Sequence, residues 1–254
     1  MTAGGTGFPG RHDREERHMY TSFYTAARGA MEEQQKLNVV ANNLANVNNY
    51  GYKAKTPVFT DLMYYNLNNY NGDDTPLKAG TGILVEQTKT DFSPKGLVTT
   101  QGDFDYAIID SGFFMMRSPV TNEITYTRNG HFSMSKRGDE FYLVNDNGNF
   151  VLDQNRNPIR ITDGELSGQI GVFGFNIMDG MLSVGNNEYA PTVKNGQPFL
   201  MAGAQVKDHA LEMSGASVSD DFTRIIEAQR AYSYALKMVQ TSDEIVNTVN
   251  TLRS

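Results

Sequence analysis

Hydrophobic positions divide the chain into three zones. Between residues 19 and 46 a series at steps of four and three, Phe23, Ala27, Ala30, Gln34, Leu37, Ala41 and Leu44, is widened by Met31, Val40 and Val47. That spacing is the period of one helix face, and no proline interrupts it. Small alanines on the stripe let a neighbouring backbone come close. Past Leu44 the composition changes, and the run ANNLANVNNYGYK holds five asparagines. Asparagine amides compete for backbone groups, and asparagine and glycine both take the left-handed conformation at helix ends. The helix is therefore predicted to stop between Asn46 and Gly51.

The far end mirrors this pattern. Val218, Phe222, Ile225, Gln229, Tyr232, Leu236, Val239, Asp243, Val246 and Asn250 again follow four/three steps, thickened by Ile226, Ile245, Val249 and Leu252. Ser219 with Asp220 and Asp221 supplies an N-cap and an acidic first turn. A heptad-like pattern of this length predicts coiled-coil packing. Its three polar seam positions weaken a simple two-stranded zipper, and so set register or mark contacts with several partners.

Between the ends the period shortens. Runs such as DYAIID, GFFMMRS, ITYTRN, EFYLVND and QIGVFGFN are rich in β-branched and aromatic residues. Turn signals separate them, among them Asn129-Gly130, Arg137-Gly138 and Asn147-Gly148. The expected fold class is thus α+β: long N- and C-terminal helices forming a coiled-coil-like helical domain, with a central antiparallel β-rich domain. The expected segments are 19–59 for the first helix and its handover to strand, and 60–80 for a polar, tyrosine-rich connector. Residues 81–215 then form the β-rich middle, and 216–254 the last helix.

Residues 1–18, MTAGGTGFPGRHDREERH, read as an appendage ahead of a second methionine at Met19: a disordered extension, an added remnant or a natural arm. They lack the apolar core of a secretory signal. Net charge is −7, distributed as 0 over residues 1–18, +1 over 19–53, −7 over 54–215 and −1 over 216–254. This balance argues against a nucleic-acid partner, because phosphate-backbone binders are usually basic. There is no cysteine, which excludes disulfide scaffolds and thiolate metal sites. No apolar run is long enough to be a transmembrane segment.

Candidate chemistry is sparse. His12, His18, His131 and His209 stand apart from any metal-ligand or nucleophile motif. Asp103 and Asp105 are two apart, hence on one face of a strand, but lack a nearby third ligand or basic partner. In DQNRNPIRITDG, Asp153, Asn155 and Asn157 match the first calcium-loop positions, yet Pro158 and Gly164 stand where glycine and a bidentate glutamate are needed. The segment, like LVNDNGNF, is predicted to be a hairpin turn. The glycine cluster at residues 79–82 lacks the strand–loop–helix context of a phosphate cradle. The expectation is no enzyme, no cofactor and no metal. Long helices gain most of their stability from packing, so each end is predicted to need more neighbours than the other alone.

Four segments together resemble the bacterial flagellar basal-body rod and hook proteins. ANNLANVNNYGYK looks like their N-terminal signature. GDFDYAIIDSGFFMM followed by YTRNGHF resembles their central pattern, here Gly112, Phe113, Phe114, Tyr126, Arg128 and Gly130. VGNNEYAPT resembles the segment before the C-terminal region, and LEMSGASVSDDFTRIIEAQRAYSYALKMVQTSDEIVNTV the C-terminal signature. The resemblance covers nearly all of residues 19–254 and implies a structural subunit of the periplasmic rod, the drive shaft between motor and hook. It implies self-assembly with sister copies and other rod or hook subunits, and passage through the flagellar type III export apparatus without a cleaved signal peptide. It also places ring proteins and peptidoglycan around the assembled chain.

By the same resemblance the assembly interface comprises Phe23, Ala27, Leu37, Leu44, Asn42, Asn43 and Asn46 at one end. At the other it comprises Phe222, Ile225, Gln229, Arg230, Tyr232, Leu236, Val239 and Val246. The asparagine amides, Asn48 included, are expected to bond neighbouring subunits or to cap the helix. The tail is closer to the distal-rod type. The short stretch between PIRI and GVFGFN, and GASVS in place of the usual Asn-Val pair, are departures that point to a proximal-rod or lineage-specific paralogue. The rival of another class is a β-rich peptidoglycan-binding module using tyrosine and phenylalanine platforms.

Overall fold

The computed structural model describes residues 11–62, 64–68, 74–80, 82–162 and 164–253. Residues 1–10 of the expected appendage, and 63 and 69–73 of the expected connector, lie outside them.

Helix α1 spans Arg11–Ala45. It therefore takes in residues 11–18, which the sequence pattern set apart as an extension. It stops at the near edge of the predicted window because the asparagines divert its last bonds. The Asn46 amide is shared between the Asn42 and Asn43 carbonyls at 3.3 and 3.0 Å, and the Asn46 side chain donates to the Asn42 carbonyl at 2.8 Å. A turn follows and closes at Gly51, whose φ is +67°.

The first strands are β1 (Lys55–Asp61), β2 (Tyr64–Asn68), β3 (Asp74–Gly80), β4 (Ile83–Thr90), β5 (Leu97–Thr99) and β6 (Tyr106–Ile108). Next come β7 (Phe113–Arg117), β8 (Ile124–Thr127), β9 (Ser133–Arg137), β10 (Glu140–Val144), β11 (Phe150–Val151) and β12 (Arg160–Thr162). The last are β13 (Glu165–Leu166), β14 (Val172–Gly174), β15 (Leu182–Gly185), β16 (Glu188–Ala190), β17 (Phe199–Leu200), β18 (Val206–Asp208) and β19 (Ala210–Glu212). Helix α2 spans Val218–Arg253. Its start corrects the predicted cap: Ser217, not Ser219, precedes the helix. Ser217 Oγ accepts the Asp220 amide at 3.4 Å and its carbonyl the Asp221 amide at 2.8 Å.

The chain divides into two compact units, residues 1–41, 57–88 and 222–254, and residues 42–56 with 89–221. In the helical unit β1 pairs with β4, and β2 with β3 in register Tyr64↔Gly80 to Asn68↔Asp74. The residues expected to form a polar connector thus carry strands. Glu32 on α1 is buried and accepts the Val85 amide at 2.8 Å, while Arg28 Nε donates to the Ile83 carbonyl at 3.2 Å. The helix thereby supplies side-chain partners to two main-chain groups of β4.

The expectation of a coiled-coil-like helical domain is overturned. Among the described residues there are two α-helices, one from each end, and the other regular elements are antiparallel strands and one 3-10 turn at Val193–Asn195. An interlocked seam brings facing Cα atoms close at every turn; among the described residues that close approach is not repeated between α1 and α2. The reason is visible in what α2 buries. Asp221, Ala228 and Ser242 are its buried residues, whereas Phe222 and Leu236, expected in the seam, are 51% and 39% exposed.

The β unit holds an 11-stranded sheet in which β7 is central, bonded to β8 on one side and to β11 and β14 on the other. Successive side chains of a strand point to opposite faces, so Phe114 and Met116 enter one core with Ile108, Phe132, Leu143 and Val172. Phe113 and Met115 enter a second core with Tyr126, Phe173, Phe175 and Tyr189. Both faces of β7 are covered, which explains an unbroken apolar run, GFFMM, without alternation. Two smaller pairs, β5 with β19 and β6 with β18, complete the unit.

Candidate assembly residues and the buried ion cluster

Asn43, expected at an intersubunit contact, is fully buried. Its Oδ1 accepts the Lys55 amide at 2.9 Å and its Nδ2 donates to the Lys55 carbonyl at 2.8 Å. One side chain thus pairs with both main-chain groups of Lys55, as a neighbouring strand would. The Tyr52 hydroxyl, 3.0 Å from both Asn42 Oδ1 and Asn43 Oδ1, secures the amides further, and burial pushes the Tyr52 phenol up from its ordinary pKa, aided by Asp221. Asn46 caps the helix, and Asn49 Nδ2 bonds Asn46 Oδ1 at 2.6 Å.

Two residues beyond Gly51 lies Lys53, with no exposed surface. Its Nζ donates to Glu212 Oε1 and to the Ser93 carbonyl, each at 2.7 Å. The Lys95 amide donates to the same Oε1 at 2.7 Å, and Arg128 Nε donates to Oε2 at 2.7 Å. One carboxylate therefore faces two cations in a dry site. Burial pushes the Lys53 ammonium below its ordinary pKa, and Glu212 opposes that fall. Arg128 Nη1 donates to the Asp110 and Gly112 carbonyls, both at 2.8 Å, so the guanidinium also fixes the turn leading into β7. Gly112 (φ +120°) must lack a side chain, since a Cβ there would lie 2.7 Å from Val172 Cγ1.

The β-motif residues are therefore structural. Phe113, Phe114 and Tyr126 fill the two cores, Arg128 holds the ion cluster, and Gly130 lets the Tyr106 main chain come close. Lys53 and Glu212 carry the same cluster and were missed by the sequence pattern. Their signal was a charge inside otherwise uncharged signatures, NNYGYK and ALEMS. Asp105 and Asp103 do not share a strand face: Asp105 is buried and pairs with His131 Nδ1 at 2.7 Å, and Asp103 is exposed.

Of the expected assembly residues on α1, Phe23, Ala27, Leu37, Leu44 and Asn46 are half-buried, and Asn42 is exposed. On α2, Ile225, Tyr232, Val239 and Val246 are half-buried, whereas Phe222, Gln229, Arg230 and Leu236 are exposed. Further apolar side chains stand out from α2 as well, including Tyr234 at 64%, Met238 at 56% and Leu252 at 83% exposed.

Residues 23–53 match the family described as flagella basal body rod protein, and residues 107–177 the flagellar hook protein FlgE/F/G D1 domain. Residues 207–252 match the flagellar basal body rod FlgEFG protein C-terminal region. The flagellar basal-body rod protein FlgG of Bacillus subtilis (strain 168) is 30% identical over 268 residues, covering 92% of this chain and 100% of the relative. The chain belongs to the flagellar basal-body rod family. The FlgG protein of Borreliella burgdorferi is 29% identical over 92% of the chain and 99% of its own length. A rod protein named FlgF, from Caulobacter vibrioides, is 28% identical over 89% and 95%.

Membership makes the chain a structural rod subunit rather than an enzyme, located in the flagellar basal body, where it assembles with other rod and hook subunits. It also gives the ion cluster a meaning. Lys53 lies in the first family segment, Arg128 in the second and Glu212 in the third. The buried carboxylate is where all three are tied together.

Proposed function

We propose that this rod-family chain is a distal-rod subunit that polymerises through its terminal helices into the shaft transmitting motor torque to the hook. The observation that carries the reading is the row of large apolar side chains left on the surface of α2. Phe222, Ile226, Tyr234, Met238, Ile245 and Val249 are all more than two-fifths exposed. Large apolar side chains left open along one helix suit an interaction surface, and burying them against sister copies supplies the association energy. The residues expected at that interface, Phe23, Ala27, Leu37 and Leu44 on α1 and Ile225, Tyr232, Val239 and Val246 on α2, are each half-buried and keep apolar surface for such contacts.

The distal position is supported by the tail LEMS…EAQRAY and by the relatives named FlgG. The subunit reaches the periplasm through the type III export apparatus, and the assembled shaft runs inside ring proteins and the peptidoglycan layer. A strain deleted for this chain tests the reading. Loss of motility, with rod stubs that lack a distal segment and intact type III export of earlier rod subunits, is expected. Normal basal bodies in that strain overturn it.

A further inference from the structure

A cleft of about 440 Å³ opens on the β unit, and eight of its twelve lining residues are asparagines. They come from four separate turns: VNNY after α1, TRNGH after β8, NDNG after β10 and GNNEY between β15 and β16. The remaining lining groups include Tyr50, His131 and Asp146. Among the lining side chains only Asp146 and His131 bear ionisable groups of the acid or imidazole kind, and no lysine or arginine is present.

Two of the lining amides, Asn145 and Asn147, are held in defined orientations by Glu188, together with the neighbouring Asn149. Glu188 is buried, and its carboxylate accepts Asn145 Nδ2 and Asn147 Nδ2 at 2.7 Å, Asn149 Nδ2 at 3.1 Å and Thr125 Oγ1 at 2.6 Å. An ionised carboxylate only accepts, so each of these asparagines must turn its NH2 towards it. Asn147 Oδ1 then faces outward and takes Asn186 Nδ2 at 2.9 Å. This leaves Asn186 Oδ1 pointing away as an open acceptor. Asn187 spends its own NH2 on the Tyr50 carbonyl at 3.3 Å, which leaves a second one. Asn186 and Asn187 hold left-handed φ of 49° and 60°, the geometry of a two-residue hairpin turn between β15 and β16, which asparagine adopts readily.

We propose that this cleft binds a neutral, hydroxyl-rich ligand, a saccharide. The open valences are mainly acceptors, Asn49 Oδ1, Asn186 Oδ1, Asn187 Oδ1 and the Asp146 carboxylate, with Asn129 Nδ2 as an open donor and the Asn48 amide offering both kinds. A ligand whose hydroxyls donate in several directions satisfies that set. An anion finds no fixed cation there, and a peptide segment brings as many acceptors as donors. Tyr50, 42% exposed at the rim, offers an aromatic face for the apolar side of a sugar ring. The volume lies at the lower end of small-ligand sites, room for about two sugar rings.

The test uses the full chain, kept dilute, titrated with cellotetraose (hydroxyls alone) and with an N-acetylglucosamine tetramer (hydroxyls and acetamides), followed by NMR shifts. Saturable shifts confined to residues 46–50, 127–131, 145–147 and 186–187 are expected with at least one of them, and the two arms tell which sugar class is taken. Asp146→Asn and Asn48→Ala, both at exposed positions, should each weaken binding about tenfold, the effect of one lost hydrogen bond to a charged or well-placed group. Their thermal melts should match the parent chain. No saturation by about 10 mM, equal binding by the variants, or shifts of these residues that follow protein concentration instead of sugar overturns the proposal. The last result would show a second copy filling the cleft. Assembly plays no part in the readout, so a failure here leaves the rod reading untouched, and a failed rod reading leaves this result standing.

Discussion

Glu212 Oε1 receives Lys53 Nζ at 2.7 Å although the two residues are 159 positions apart. The pair joins the turn after the first helix to the strand before the second, and Arg128 closes it from the middle of the sheet. Glu212→Gln keeps the shape but leaves two buried cations without their counter-charge. Breaking a buried pair from one side costs about 3–5 kcal/mol, and denaturant unfolding should show a loss of that order. The variant should also regain stability on moving from neutral to alkaline pH more than the parent does. The Lys53 ammonium already has a lowered pKa, so the folded chain sheds that proton before the unfolded one, and stability rises with pH between the folded value and 10.5. A loss below 1 kcal/mol, on the order of an exposed pair, would show the cluster to be wet.

Asn43→Ala removes both bonds to Lys55 and one acceptor for the Tyr52 hydroxyl. Each buried polar group left unpaired costs about 1–3 kcal/mol, so the expected loss is at least about 2 kcal/mol. Asn46→Ala, which uncovers the Asn42 carbonyl and frees Asn49 Nδ2, both near solvent, should cost only about 1 kcal/mol. Equal effects in an unfolding titration would refute the strand-mimic role of Asn43.

Gly51 and Gly138 share a positive φ, +67° and +64°, but differ in surroundings. A Cβ on Gly51 would overlap the Asn129 main chain, whereas one on Gly138 meets nothing. Gly138→Ala should therefore cost only the conformational penalty, about 1 kcal/mol. Gly51→Ala must also displace backbone, and should cost at least about 2 kcal/mol more. Melting both variants side by side separates the two contributions.

Asp91 provides a pH test. Burial alone raises its pKa, but Lys95 Nζ at 2.7 Å and the Ser93 amide at 3.0 Å outweigh that and bring it to about 2, below the usual 3.8. Folding then favours the charged form, so this contribution is complete above 3.8 and disappears as pH falls through about 2. Asp91→Asn should be less stable than the parent at neutral pH, and the gap should close on acidification. A gap that stays constant down to about pH 2 would contradict the linkage.

The sequence pattern showed most of what lies along one element and little of what joins elements. The end of α1 was legible because Asn46 and Gly51 act within one turn of their own positions. The central run GFFMM was legible as strand, since Phe113 to Met116 are apolar on both faces. By contrast, TDLMYYNLNNYNG reads as a polar, tyrosine-rich connector with its order left open; that Tyr64–Asn68 pair with Asp74–Gly80 is a hairpin the residue types do not announce. Lys53, Arg128 and Glu212 meet only through the folded topology. The coiled-coil expectation failed because it weighed large apolar residues on α2. The line that is buried there includes Asp221, Ala228 and Ser242, small or polar, and the large residues point elsewhere.

That inversion gives the sharpest prediction about assembly. If the exposed apolar side chains of α2 are contacts for sister subunits, a charge among them should leave the lone chain intact and stop polymerisation. Leu236→Asp should change unfolding stability by no more than about 0.5 kcal/mol, as surface substitutions do, yet abolish concentration-dependent sedimentation and fail to restore motility to a deletion strain. Ala228→Leu does the opposite test. Ala228 has no exposed surface, so the added bulk should destabilise the chain itself by about 1–3 kcal/mol. A Leu236→Asp chain that still polymerises and still supports swimming would remove α2 from the interface, because a desolvated carboxylate without a partner is not tolerated in an apolar contact.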